Sequence, residues 1–485
     1  MISQSAFEFD IEKLIQNQID KTNINKDKLR ELLLNKREIL AKSLTDCGKV
    51  KSNAEIRGKL HHKQRQYKIR REDKETIGKI INNLMEQGVI KKCRSPTNSP
   101  IFLKKKPDGS WRLLLDCKAL NECTNPKQGQ SISSHGSIEK LTREKYHTTL
   151  NIANGFWSIP IVEKDQFKTA FTYQGQQYQW TRLPEGWCNS TVIFNEAIRR
   201  VLDDNPKITR FGGVIHFSND NAESHIKLLK QILEKLDNHG LKIDLRKSQI
   251  GRYAVDFLGH QISETEDRLS RKFKEEVSQV KPPKTRKELQ SVLGKFNFAR
   301  EFVINYAGKA ASLFKLTNKE PFQWDTNAQE CLNQLQQDIQ KAVPHSTRKP
   351  KSSLILDIYV SKDSSVTAVK QKSVTGEETL KYLSFNFSKA EKKFAKDERL
   401  LATLFCTLKQ TCQMVTSKEK ITVRTSYPEL AGVTRESQRN HKALKCRWKK
   451  WESLLYDQRI SFELRNGIEE NELSRFEIEE EQENE

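Results

Sequence analysis

Phosphate chemistry assisted by divalent cations needs clustered carboxylates, because a hard ion such as Mg²⁺ is held by anionic oxygens. The chain has an adjacent aspartate pair, Asp203–Asp204, at the end of a predicted helix, where a solvated helix end is the expected role. Asp220 lies beyond a predicted strand, so neither it nor the pair offers acids on two neighbouring strands. Asp357 falls within a later strand and Asp363 in the turn after it. The nine cysteines form no CxxC pair and no CxxC/HxxxH ligand set, and read as reduced packing residues. The cations are grouped, in HHKQRQYKIRR, FLKKK, LRKSQIGR and KALKCRWKKW. The last group interleaves Trp448 and Trp451 with Arg447, Lys449 and Lys450, which suits backbone and base contacts and equally an ordinary amphipathic helix. Lys104, Lys105, Lys106, Arg246 and Lys247 complete the candidate nucleic-acid contacts.

The charge balance points the same way. The 485 residues carry a formal net charge of +22. The final segment, IEENELSRFEIEEEQENE, is strongly acidic, which leaves about +30 on the remainder. Such a surplus favours a polyanionic partner through counterion release; a Lys-rich solvated surface is the alternative. No apolar run approaches the roughly 18 residues that a membrane span needs, and the N-terminus carries acids where a signal peptide would be basic. The expectation is a soluble intracellular protein, cytoplasmic, nuclear or both, without a disulfide framework or membrane partner.

Several elements must position these groups. Residues 1–75 read as a charged helical extension, with HHKQRQYKIRRED a solvated linker, a phosphate-contacting arm or a nuclear import signal. KETIGKIINNLMEQGVI reads as an amphipathic helix stopping at Gly88. SPIFLKKK and SWRLLLDCKAL flank a Pro107-Asp108-Gly109 turn, and KTAFTYQ and QYQWTRL flank Gly175, which predicts two hairpins. TTLNIANGFW and FGGVIHF read as strands, and STVIFNEAIRRVL and SHIKLLKQILEKLDNHG as helices. Residues 278–345 read as mostly helical, and PHSTRKP as a linker. The strands SSLILDIYV, SSVTAVKQ and TLKYLSFNF follow, then a helix opened by a Ser388–Glu391 capping box, with Leu401, Leu404, Phe405 and Leu408 on one face. The strand EKITVRTS and a helix around KALKCRWKKWESLL close the series. Strands and helices mix without strict alternation, which predicts an α+β fold.

The long motifs SPTNSPIFLKKKPDGSWRLLLDCKALN, TTLNIANGFWSIPIVEKDQFKTAFTYQGQQYQWTRLPEGWCNSTVIFNEAI and LRKSQIGRYAVDFLGHQIS resemble, in order, the reverse transcriptases of gypsy-type retrotransposons and retroviruses. The likeness to foamy viruses and related endogenous retroviruses is particularly close. LSFNFSKAEKKFAKDERLLA, ITVRTSYPEL and RNGIEENELSR resemble RNase H blocks of the same elements. The resemblance implies a right-hand polymerase fold followed by an RNase H-like domain. It divides the chain into fingers and palm over 76–262, thumb and connection over 263–350 and an RNase H-like domain over 351–475, and composition adds a charged helical extension over 1–75 and an acidic disordered tail over 476–485.

The resemblance also implies which positions would carry catalysis. One family aspartate precedes the Gly-Phe/Tyr-Trp motif, and here that position is Asn151. The adjacent Asp-Asp pair aligns with Gly213 and Val214, in Phe211-Gly212-Gly213-Val214. Lys105, Arg112 and Phe156 match positions at the nucleotide, and Glu185 replaces the usual Gln of the LPQGW motif. The RNase H carboxylates align with Val360, Leu400, Ser426 and, through a gap, Asn471. Every metal-binding carboxylate implied by the family is thus replaced, and the ancestral Mg²⁺ sites are expected to be lost. The reading is a pseudoenzyme that binds RNA, DNA or an RNA–DNA hybrid. The alternative is an interaction module that self-associates or pairs with an active retroelement polymerase; an active polymerase with RNase H activity ranks last.

Overall fold

The structure is a computed structural model that describes residues 9–58, 62–105, 111–128, 143–202, 205–318, 321–349, 352–374, 376–411, 419–425 and 459–464, with 138, 141 and 414. It divides into two compact units, Met1–Leu258 and Gly259–Glu485.

The first unit opens with α1 (Ile11–Lys21) and α2 (Lys26–Asn35), where Asp10 and Asn25 accept from the backbone N–H of Lys13 and Lys28. Both helices bury an apolar face, Ile11, Ile15 and Ile19 with Leu29 and Leu33, in the core that also holds the sheet residues Leu150, Ile215 and Phe217. Beyond Leu40 the described residues run without regular helix to Arg70, with Val50, Ala54 and Ile56 in the same core. The expected helical extension over 1–75 is therefore helical in α1, in α2 and again from Arg71, and its described apolar residues share the core of the first unit. Helices this short do not hold themselves in water and need the shared core to bury their faces.

Next come α3 (Arg71–Glu86), β1 (Ile90–Lys92), the hairpin β2 (Ile101–Lys105) and β3 (Trp111–Leu115), and the short helix α4 (Lys118–Glu122). The expected Pro107–Gly109 turn lies outside the described residues. After β4 (Tyr146–Asn151), the hairpin β5 (Phe171–Tyr173) and β6 (Gln176–Trp180) joins β1 in the order β1-β6-β5. Helix α5 (Ser190–Leu202) leads to β7 (Ile208–Phe211) and β8 (Val214–Asn219), then α6 (Ala222–Asn238), β9 (Gln249–Arg252) and β10 (Ala254–Phe257). The second sheet runs β7-β8-β4-β9. FGGVIHF, read as one strand, is in fact a hairpin turn and a strand. Phe211 pairs with Val214, and Gly212 takes φ +55° in the two-residue turn, a conformation that glycine adopts without a Cβ penalty.

The second unit begins with β11 (His260–Ser263) and β12 (Glu266–Leu269). Four helices follow, α7 (Arg271–Ser278), α8 (Arg286–Phe296), α9 (Tyr306–Leu316) and α10 (Thr326–Lys341), packed on Leu289, Phe296, Leu313, Leu332 and Leu335. PHSTRKP is not simply a linker: His345–Ser346 forms β13 against β12. The His345 ring stacks on Phe302 at 4.5 Å and meets Tyr382 edge-on, so packing holds this stretch in place.

The unit ends in a five-stranded sheet of β14 (Leu354–Val360), β15 (Ser364–Ser373), β16 (Gly376–Asn386), β17 (Ile421–Thr425) and β18 (Ile460–Leu464), in the order β16-β15-β14-β17-β18. β14, β17 and β18 are parallel and the rest antiparallel. Helix α11 (Lys396–Thr411) packs on β14. The capping box is present, with Ser388 N–H donating to Glu391 Oε2 at 2.8 Å and Glu391 N–H to Ser388 Oγ at 3.3 Å. It opens only a 3₁₀ turn, because Phe394 leaves the helical region at φ −72°, ψ 151° and packs against the sheet core. The long helix starts afresh where Ala395 N–H donates to Glu398 Oε2. Leu401 and Leu404 are buried as expected, but Phe405 is 40% exposed, one residue round from the buried stripe. The predicted KALKCRWKKWESLL helix lies outside the described residues.

Alternate residues of β14 face different ways. Leu354, Leu356, Ile358 and Val360 join the core under α11, whereas Asp357 is buried with Lys370 Nζ at 2.5 Å and Arg424 Nη1 at 3.8 Å. Asp357→Ala should leave Lys370 and Arg424 with Glu377 as their remaining shared anion and cost about 1 to 3 kcal/mol in chemical denaturation, less than for a buried charge left with no partner. A loss below about 1 kcal/mol would show that this network is dispensable.

Besides His62, three histidines lie buried in the first unit. His147 Nδ1 meets His216 Nε2 at 3.2 Å, and His225 is held between Thr148 Oγ1 at 2.7 Å and Asn219 Oδ1 at 3.1 Å. Burial pushes His147 down to about 4 and His225 to about 3, and holds His216 well below its usual range. Between those values and 6.5 the unfolded chain binds the extra protons, so stability is complete above about pH 7 and declines as pH falls from about 6.5 toward 4. Urea midpoints measured from pH 8 to 4.5 should fall steadily below pH 6.5, and a flat profile down to pH 5 would contradict this account.

Candidate functional site

The fold brings together the three positions aligned with the polymerase aspartates. Asn151 ends β4 directly opposite Val214 of β8, and Ile152 N–H donates to the Gly213 carbonyl at 2.8 Å. The Asn151 side-chain amide donates to the Lys247 carbonyl at 3.0 Å, and its backbone N–H donates to Ser248 Oγ at 3.0 Å. A Cβ added at Gly213 would meet nothing closer than 3.8 Å, so this position has room for a side chain. Asp220 follows the far end of β8, and Asp203–Asp204 lies outside the described residues. Among the described residues, no group of three or more His, Cys, Asp or Glu is placed to hold a metal ion.

The neighbouring acid that motif matching passed over is Asp244. Its backbone N–H donates to the Asn151 carbonyl at 2.9 Å, and its buried carboxylate accepts from Arg246 Nε at 2.9 Å and Nη2 at 2.7 Å. The Arg246 guanidinium also lies 3.9 Å from the centre of the Phe9 ring. Arg246 was expected to face nucleic acid; it is instead committed to a fork on Asp244 and a stack on Phe9, both internal. The Asp-x-Arg spacing was visible in LKIDLRKS, but the partner ring 237 residues away was not. Lys247 is 68% exposed and lies 3.7 Å from Asp244.

Toward the expected nucleotide position, Phe156 packs edge-on against Phe194 at 5.5 Å, a contact that leaves no room for a Cβ on Gly155. Arg112 and Glu185, singled out separately in the sequence, form an ion pair at 3.0 Å. Lys104 stands opposite Arg112 across β2–β3, and Lys105 lies over the Trp111 ring at 5.8 Å. Lys104 and Lys105 are exposed. Lys106, Arg447, Lys449 and Lys450 lie outside the described residues.

In the second unit, Val360 and Leu400 are 1% and 3% exposed and share one hydrophobic core. Asp363 is paired with Lys392, which holds its carboxyl below the ordinary range. Ser426 and Asn471 lie outside the described residues. Among the described residues no helix is long and apolar enough to cross a membrane.

Residues 103–262 match the reverse transcriptase (RNA-dependent DNA polymerase) family. The chain is 34% identical over 402 residues, 82% of its length, to the Pro-Pol polyprotein of Simian foamy virus type 1, and it spans 35% of that polyprotein. It is similar to the foamy viral protease–reverse transcriptase dRH in complex with double-stranded DNA, at TM-score 0.84 and 31% identity over 96% of this chain and 83% of that one. The foamy viral protease–reverse transcriptase in complex with an RNA/DNA hybrid matches at TM-score 0.78 and 31% identity, over 96% of this chain and 64% of that one. The polymerase fold and the long ordered motifs agree, and the chain belongs to the reverse transcriptase family found in the Pol proteins of foamy viruses, retroviruses and retrotransposons.

Proposed function

We propose that this member of the family binds nucleic acid and does not polymerise it. The observation that carries the reading is the corner at Asn151, Gly213 and Val214, where the strand geometry is intact and the donor set is one carboxamide, one glycine hydrogen and one isopropyl group. Two hard divalent cations need several anionic oxygens. This set supplies none, and it does not fit Mg²⁺. The Asn151 amide is moreover turned to the Lys247 carbonyl.

The binding half of the reading rests on the formal charge of +22, on the exposed Lys104 and Lys105, and on the double-stranded DNA and RNA/DNA hybrid named for the similar foamy viral structures. For the second unit the reading is structural. Val360 and Leu400 lie in a closed apolar core, so the sheet reads as an RNase H-like scaffold rather than as a nuclease pocket emptied of its acids.

Salt titration of binding to duplex DNA and an RNA–DNA hybrid tests the first half. Three or more phosphate contacts predict a log–log slope of about −2.7 or steeper on duplex DNA, and Lys104→Gln with Lys105→Gln should make it shallower by about 1 to 2. Weak, salt-independent binding to both would refute it. Primer extension with Mg²⁺ or Mn²⁺ tests the second half, and nucleotide addition above the protein-free control would overturn it. The triple variant Asn151→Asp, Gly213→Asp, Val214→Asp should gain Mn²⁺ binding by calorimetry over the parent chain; equal uptake by both would mean that these positions do not govern metal binding.

A further inference from the structure

We propose that Glu185 is a built-in anionic plug on the cationic face of the β2–β3 hairpin, and that it makes this face reject small free polyphosphates. The hairpin alternates its side chains between two faces. Ile101, Leu113 and Leu115 are buried, while Lys104 and Arg112 lie directly opposite one another on the exposed face. Like charges placed opposite across a strand pair repel, so this face favours an anion nearby. The chain supplies one itself: Glu185 Oε2 lies 3.0 Å from Arg112 Nη1. Lys104 makes no ion pair with a described residue.

The loop that carries Glu185 is fixed from both sides. Asn121 Nδ2 donates to the Gly186 carbonyl at 3.0 Å, and Cys188 N–H donates to Asn121 Oδ1 at 2.8 Å. Gly186 sits at φ +94° and passes close to the Leu115 carbonyl and the Cys117 side chain, so the loop is docked beside the end of β3. Glu185 is accordingly held at Arg112 without the loop having to order on pairing.

The side chains of Arg112 and Glu185 are 48% and 26% exposed. A pair this open to water is weak and can be displaced, so the plug acts as a filter and not as a seal. A compact polyanion approaching Arg112 meets the carboxylate within a few ångströms, whereas an extended backbone can also meet Lys105, which alternates to the other face of the hairpin.

The proposal rests on this geometry and not on the loss of catalysis. The probe is inorganic triphosphate without metal or nucleic acid, titrated calorimetrically into the full chain at low salt. Duplex binding can therefore fail while this result stands, and the reverse. Glu185→Gln should tighten binding about two- to fivefold, the upper factor corresponding to about 1 kcal/mol. Adding Arg112→Gln to that variant should return affinity to the starting level. Glu185→Ala is the second test of the same effect, and thermal melting establishes that each variant is folded. Unchanged affinity in both folded Glu185 variants, or a double variant that binds as tightly as Glu185→Gln, would overturn the proposal.

Discussion

The antiparallel pairing of β4 with β8 sets the geometry on which everything at the candidate site depends. It places Asn151 opposite Val214, and the Gly212–Gly213 turn delivers the neighbouring position to the same corner. Backbone hydrogen bonds enforce this register, and they are indifferent to whether the side chains are acids, amides or alkyl groups. The buried residues Leu150, Ile215 and Phe217 anchor the sheet from behind. The shape of this corner therefore does not depend on which side chains it carries.

Charge behaves differently from shape. The surplus of +22 belongs to the whole chain, but a partner feels only the cations left unmatched. Arg246 is spent on Asp244 and Phe9, Arg112 on Glu185, and Lys370 and Arg424 on Asp357 and Glu377. Exposed Lys104 and Lys105 remain available on the hairpin. Arginine is the residue diverted in most of these contacts, as its planar fork suits carboxylates and its face suits aromatic rings.

The second unit shows a related economy. Its central strand carries two faces, one apolar under α11 and one holding the buried Asp357 network. Val360 and Leu400 belong to the apolar face. Filling those positions with alkyl groups closes the core, whereas carboxylates there would require compensating cations or water.

The sequence by itself determined the family, the α+β class, and most of the described strands and helices. These follow from local patterns: apolar periodicity, turn residues and long ordered motifs. It misplaced what depends on distant partners. Residues 1–75 looked like a helical extension, because the core that Ile11, Ile15, Leu29 and Leu33 share with Leu150 and Phe217 involves chain far downstream. PHSTRKP looked like a linker, because its anchor is the stacking of His345 on Phe302. Arg246 looked like a phosphate contact, because Phe9 is remote in sequence. Only the tertiary structure decided that Arg112 and Glu185 neutralise each other, since a Coulomb interaction depends on separation in space and the 72 residues between them carry no record of it.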